Sequence, residues 1–442
     1  MSSHSARGRT VLPNPPDSHK RTLHILSCAA TLLTLLLTVL SSRLPLFDAS
    51  PHVLLGDSQR SPSSLRHTLA SAVLRWDTFH FAHIAEEGYL YENEWAFFPG
   101  VPWVMRTCAS VLRATGLSQQ PAGVPFEWEE LLLGGLIASS VSILSVGDLY
   151  DLTALHFQSH SIAFLASLLS LLPSSPVTLR IAGYSEAFFT FLSYKGMLCC
   201  ARKHWLRATC FFALAATFRS NGIFVCGFIT WGLVVEPSLN RQKVSLGRIL
   251  YAAALCITVV AFFVGYQYQA YRLFCKGPST PTHWCYAFPP SIYTYVQTRY
   301  WNVGFLRYWT LQQLPNFLLG APPLLLLFTF TLRYLRLALI PRLVNHISAS
   351  DSPSKSPIEN ASPFLSPSIA PHVIHALVLC LLLLFASHTQ IVLRLAASMP
   401  LTYWAAAWLV AERPTLGKWW VGWSVVWGAV SCVLWGVFLP PA

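Results

Sequence analysis

Along this chain, apolar runs of membrane-spanning length alternate with short polar breaks. Residues 23–40, 131–146 and 324–335 are nearly free of charge, and a bilayer core takes about 20 such residues per helix. The alternation predicts spans near 23–42, 131–150, 160–179, 184–200, 206–220, 222–236, 248–270, 313–334, 372–388, 391–411 and 419–438, about eleven in all. The runs at 206–220 and 222–236 are short enough to be half-helices. The expected fold class is an all-α polytopic membrane protein.

Composition agrees. Of 442 residues 54% are hydrophobic and 11% charged, with a mean hydropathy of +0.48, whereas soluble domains carry about 25% charged residues. A net charge of +12 raises nucleic acid as a partner. The basic residues are scattered between apolar runs, however, and form no stripe with a stacking platform, so no nucleic-acid partner is expected.

The same charges set the topology through the positive-inside bias. Residues 1–22 read as a disordered cytosolic tail. Arg7, Arg9, Lys20 and Arg21 precede the first span, 23–42, and no small-residue cleavage site follows at 41–46, so that span reads as an uncleaved signal anchor. With alternate crossings, the cytosolic connections become Arg202/Lys203/Arg207, Arg241/Lys243/Arg248, Arg333/Arg336/Arg342 and Arg413/Lys418. The short connections of the other side hold Arg180, Arg219 and Arg394 singly. Two long connections, 43–130 and 271–312, then lie on the non-cytosolic side, on either flank of the spans in 131–270. The chemistry is expected there, with amphipathic helices in the first. Residues 313–347 carry a span and its cytosolic end, 348–371 form a Ser/Pro-rich cytosolic linker, and 372–442 hold the C-terminal spans. The sequon at Asn360 falls in that linker and is expected to carry no glycan. Most of the 11 cysteines lie in apolar runs. Cys275 and Cys285 instead flank a polar loop and can pair if that loop faces an oxidising compartment.

The first long connection contains RWDTFHFAHIAEEGYLYENEWAFFPGVP from Arg75. Helical spacing places Val73, Asp77, Phe81 and Ile84 on one stripe, which puts a carboxylate on an apolar face. Such a group is either a base poised for chemistry or a partner for Arg75 or a helix cap. His80, His83 and Glu87 share a face but match no strong metal signature, and no metal site is assigned. Trp95, Phe97 and Phe98 suit a sugar or lipid groove, or an interfacial helix. Further on, Glu186 stands at the mouth of a span, Arg219 and Asn221 break two apolar runs, and Arg394 lies within LRLAAS. Ionisable groups at membrane depth are costly and mark function. A guanidinium holds phosphate oxygens bidentately, so the arginines suit a phosphate-bearing lipid, or else pair with Glu186.

These strings, with AGYSEAFFTFLSYKG from Ala182, FRSNGI from Phe218, YVQTRYWNVGFLRYWTLQQLPNFLLGAP from Tyr295 and QIVLRLAASMPLTYW from Gln390, resemble the PIG-V family, the second mannosyltransferases of glycosylphosphatidylinositol (GPI) synthesis. The resemblance covers most of the chain outside the tail, the Ser/Pro linker and part of the first loop. It implies a GT-C fold in the endoplasmic-reticulum membrane with a lumenal catalytic loop after the first span. The implied donor is dolichyl-phosphate mannose, and the implied acceptor the mannosyl-glucosaminyl-acylphosphatidylinositol precursor, joined through an α-1,6 linkage. Trp76 and Asp77 match the family's critical Trp-Asp pair, and Cys275 to Cys285 its paired-cysteine loop. Beside the residues already weighed, the resemblance makes Asp77 the general base of an inverting displacement. Arg75, Glu186, Arg219, Asn221, Arg299, Arg307 and Arg394 become substrate-binding candidates. No cofactor is required by this chemistry, metal dependence stays open, and an accessory membrane subunit is an expected partner. The rival is a transporter with the buried charges along its path, against which stand the lack of an internal repeat and the long aromatic-rich loop. A sibling transferase using the same donor for another glycan and a non-catalytic assembly subunit are further alternatives.

Overall fold

The computed structural model describes residues 17–55, 65–117, 123–276, 282–347 and 362–440. Residues 1–16 of the expected tail and the Asn360 sequon lie outside them, whereas residues 17–22, expected as tail, are the first turns of the helix Asp17–Ser41. Among the described residues the regular structure is helix only. Seven helices among the described residues are long and apolar enough to cross a membrane: Ser18–Ser41, Trp128–Phe157, Ser220–Leu239, Leu246–Cys275, Leu311–Ile347, Pro367–Phe385 and Pro414–Gly436. The other four expected spans are shorter helices, His160–Leu169, Ser185–Ala201, Trp205–Ala216 and Pro400–Glu412. Proline sets two of these limits. Pro173 and Pro176 interrupt the run that begins at His160, and Pro400 breaks the run that begins at Ile391, because proline lacks the N–H an internal helix turn needs.

The inner helices are the least exposed. Ser185–Ala201 exposes no residue, and Pro400–Glu412 exposes only Ala411 and Glu412 at its end, as helices enclosed by others do. Leu246–Cys275 instead exposes Ile249, Leu250, Ile257 and Val264, an outward apolar face suited to lipid. The two ends of the bundle differ. One collects the basic connections: Lys20 pairs with Asp151 at 2.6 Å and Arg202 with the same carboxylate at 3.5 Å, Lys195 pairs with Asp148 at 2.9 Å, and Arg333 pairs with Glu412 at 3.1 Å. The other end gathers the two long connections, which fold into helices: Leu65–Val73, Asp77–Glu87 and Gly100–Ala114 from the first, Ile292–Trp301 from the second. Cys275 and Cys285 are joined by a disulfide, with Cα atoms 5.6 Å apart, at the base of the second.

Candidate active site

The Arg75–Trp76–Asp77 turn is where the first long connection bends. Leu65–Val73 and Asp77–Glu87 are separate helices, so Val73 is not on one stripe with Asp77, while Phe81 and Ile84 remain buried on the helix that Asp77 begins. Between them Trp76 takes φ +51°, an outlying conformation for a bulky residue that costs on the order of 1–3 kcal/mol and persists only where the surroundings fix it. Those surroundings are visible. The Tyr184 hydroxyl accepts the Asp77 N–H at 2.8 Å and donates to the Arg75 carbonyl at 3.1 Å, spanning the strained residue. Phe438 packs on the Trp76 ring at 5.1 Å.

Arg75 belongs to this support and not to the site. Its side chain, 0% exposed, donates to the carbonyls of Ser71, Leu74, Trp435 and Gly436. It therefore does not pair with Asp77, and it faces the end of the helix Pro414–Gly436 instead of a substrate.

The Asp77 carboxylate, 31% exposed, accepts from Arg394 Nη2 at 2.9 Å. Arg394 Nε reaches Glu186 Oε1 at 2.6 Å, and Arg219 Nη1 reaches the same oxygen at 2.7 Å. Arg219 also donates to Ser185 Oγ at 3.2 Å and to Asn221 Oδ1 at 3.3 Å, and the Arg394 guanidinium lies over the Tyr184 ring at 4.8 Å. Two carboxylates and two guanidinia thus form one chain with balanced charge, drawn from four segments distant in sequence. Glu186 is 2% exposed, and a carboxylate at that depth persists only when paired and hydrogen-bonded.

Local breaks in the helices deliver these groups. Arg219 is extended between Trp205–Ala216 and the turn Ser220–Val225. Arg394 sits on a single helical turn, Val392–Leu395, and irregular backbone at membrane depth is tolerated where it lines a cavity. Glu186 follows Gly183, whose φ of +65° and close approach to Gly135 Cα would strain any side chain there.

The chain of charges borders a cleft of about 360 Å³. Asp77, Arg219, Asn221 and Arg394 line it with Tyr293, Gln297 and Trp301 of the second connection, and with Ser387, His388 and Gln390; Leu379, Leu382 and Leu383 form an apolar wall. Asn221 Nδ2 is buried with no partner among the described residues, leaving a donor for a ligand. His388 Nε2 donates to the Trp301 carbonyl at 2.7 Å, which fastens the second connection over the cleft.

Other sequence candidates fall elsewhere. Arg299 and Arg307 are exposed and do not line the cleft. His83 engages Glu94 at 2.5 Å, and His80 stacks on Phe97 at 4.3 Å, where burial pushes its imidazole below the usual range. Among the described residues no group of three or more His, Cys, Asp or Glu side chains could hold a metal ion. Trp95 and Phe98 are core, and only Phe97 and Phe98 reach the cleft. Tyr184, Gln297, Trp301 and His388 were not singled out from sequence. Tyr184 adjoins the acidic mouth at Glu186, the one signal that pointed toward it.

Comparison with known proteins gives a consistent result. A GPI mannosyltransferase 2 of Cryptococcus neoformans is 36% identical over 95% of this chain and 98% of its own length. A rat GPI alpha-1,6-mannosyltransferase 2 is 34% identical over 80% of this chain and 77% of its own, and the human protein of that name is 32% identical over 79% and 75%. No solved structure matches. The family model described as Mannosyltransferase (PIG-V) matches residues 21–442, and this multi-pass membrane chain belongs to that family.

Proposed function

We propose that this chain transfers the second, α-1,6-linked mannose from dolichyl-phosphate mannose to the GPI precursor. It does so at the lumenal face of the endoplasmic-reticulum membrane, with its N-terminus in the cytosol. The family and its named relatives support the transfer. The observation that carries the chemistry is a carboxylate facing a cleft beside two guanidinia that share one buried counter-ion.

In the proposed step, Asp77 takes the proton of the acceptor hydroxyl as that oxygen bonds to the anomeric carbon of mannose. The bond from that carbon to the phosphate oxygen breaks on the opposite face, with inversion, and dolichyl phosphate leaves with the electron pair. Arg394 and Arg219 stabilise the charge that grows on the phosphate, as preoriented donors do best. Glu186 anchors both guanidinia from below the cleft, with Arg394 reaching on to Asp77, so that the arginines stay aimed before substrate arrives. Asn221 offers a free N–H to the phosphate or a sugar hydroxyl. Trp76 acts through the turn: its strained backbone sets where Asp77 begins its helix. The apolar wall at Leu379, Leu382 and Leu383 suits the lipid end of either substrate.

The experiment is a membrane assay supplied with labelled dolichyl-phosphate mannose. Asp77→Asn is expected to abolish mannose transfer at unchanged protein abundance, and full activity would remove the proposed base. Cells lacking the protein are expected to accumulate a precursor with one mannose; accumulation of any other intermediate assigns the chain to a different step.

A further inference from the structure

A second cavity of about 30 Å³ lies among the helices, lined by Ser27, Ser142, Ser145, Thr190, Tyr403 and Arg180 together with apolar residues. Arg180 is 4% exposed. Its guanidinium donates to the carbonyls of Ser27 and Leu171 at 3.3 and 3.0 Å and to Thr31 Oγ1 at 3.2 Å. No carboxylate lines the cavity, so this positive charge, unlike those of Arg219 and Arg394, meets only dipoles.

The hydroxyls around it are the second observation. In apolar surroundings a helical Ser or Thr returns its O–H to the carbonyl one turn back, as Thr31, Thr34, Thr38, Ser139 and Thr153 do. Ser142 Oγ, Ser145 Oγ and Thr190 Oγ1 are buried and have no partner among the described residues. The cavity therefore presents one uncompensated cation and three uncommitted hydroxyl donors. Tyr194, which also lines it, is already committed to the Ala397 carbonyl at 2.6 Å.

We propose that this cavity holds a small monovalent anion of the chloride class, bound by Arg180, Ser142, Ser145 and Thr190. Water would satisfy the hydroxyls but leave the guanidinium unbalanced, and a buried charge without a partner is strongly unfavourable. About 10–15 Å³ of such space admits one water, so the volume suits a single halide with little else. The ion joins the first span, Ser142–Phe157, Ser185–Ala201 and the segment around Ala397 at one point. Ala397 lies on the turn that follows Arg394, so the anion braces the backbone behind the cleft.

The test is thermal unfolding of the purified full chain in detergent, titrated with sodium chloride or bromide against sodium gluconate at constant ionic strength. The melting temperature is expected to rise and saturate with halide only. In Ser145→Ala/Thr190→Val the half-saturating halide concentration is expected to rise about tenfold or more, as loss of two hydrogen bonds to a charged ligand implies, and Arg180→Gln is expected to lose the halide response. If Arg180→Gln does not fold, the wild type and the double variant still decide. Identical melting in halide and gluconate would mean that water alone fills the cavity and would overturn the proposal. So would an unshifted halide response in the double variant.

Discussion

The Lys20–Asp151–Arg202 cluster and the Asp77–Arg394–Glu186–Arg219 chain use the same kinds of charge at opposite ends of the bundle. The first lies at the surface, its lysine and arginine well exposed. Such pairs contribute only about 0–1 kcal/mol each, and they serve the charge bias that orients a membrane chain. The second draws its groups from four distant segments onto one buried carboxylate. Desolvation offsets most of what a buried pair gains, so stability does not explain why it is kept. Cost without stabilisation, together with an open cleft, fits the site proposed at the second end.

The sharpest way to break that contrast is Asp77→Asn. Its expected effect is loss of about 10²–10⁴-fold in transfer rate or more, read in the membrane assay with abundance measured alongside. Glu186→Gln comes next. It leaves two guanidinia facing one another, and the expected destabilisation is roughly 3–5 kcal/mol, read as lowered melting temperature and abundance; a change as small as at the surface cluster would erase the distinction between the two ends. Tyr184→Phe removes the bridge over Trp76 while keeping the ring under Arg394. A loss of about 1–2 kcal/mol in hydrogen bonding is expected to appear as roughly tenfold lower kcat with KM little changed, and a fall in abundance alone would make Tyr184 merely structural. Arg202→Ala sharpens the comparison from the other side, with an expected change within about 1 kcal/mol and unaltered transfer.

Much of this contrast was legible in the sequence because charges inside apolar runs stand out. Glu186, Arg219 and Arg394 were identified on that ground, and they meet in one chain. The mutual pairing of Glu186 with both arginines appeared only as an alternative to phosphate binding, since spacing does not say which helix ends converge. Arg75 shows the limit more clearly. It adjoins Asp77 in sequence, yet Trp76 at φ +51° turns the two side chains apart, and a positive φ on tryptophan leaves no composition signal. Arg299 and Arg307 carry the same charge as Arg394 but are exposed: Arg299 sits in the helix Ile292–Trp301, too short for periodicity to reveal its outward face, and Arg307 lies in the turn beyond it. Span lengths were misjudged where proline cuts an apolar run, at Pro173, Pro176 and Pro400. Hydropathy registers only the run, and the break is where the backbone loses a donor.

The grip of Arg75 on the carbonyls of Trp435 and Gly436, some 360 and 361 residues onward, has a consequence for biogenesis. The Trp-Asp turn leaves the ribosome early, but the share of its support that Arg75 supplies waits until a helix translated far later has been threaded into the bilayer and docked beside it. A substitution that shifts the backbone at Trp435 is therefore expected to loosen the Trp-Asp turn without touching the cleft.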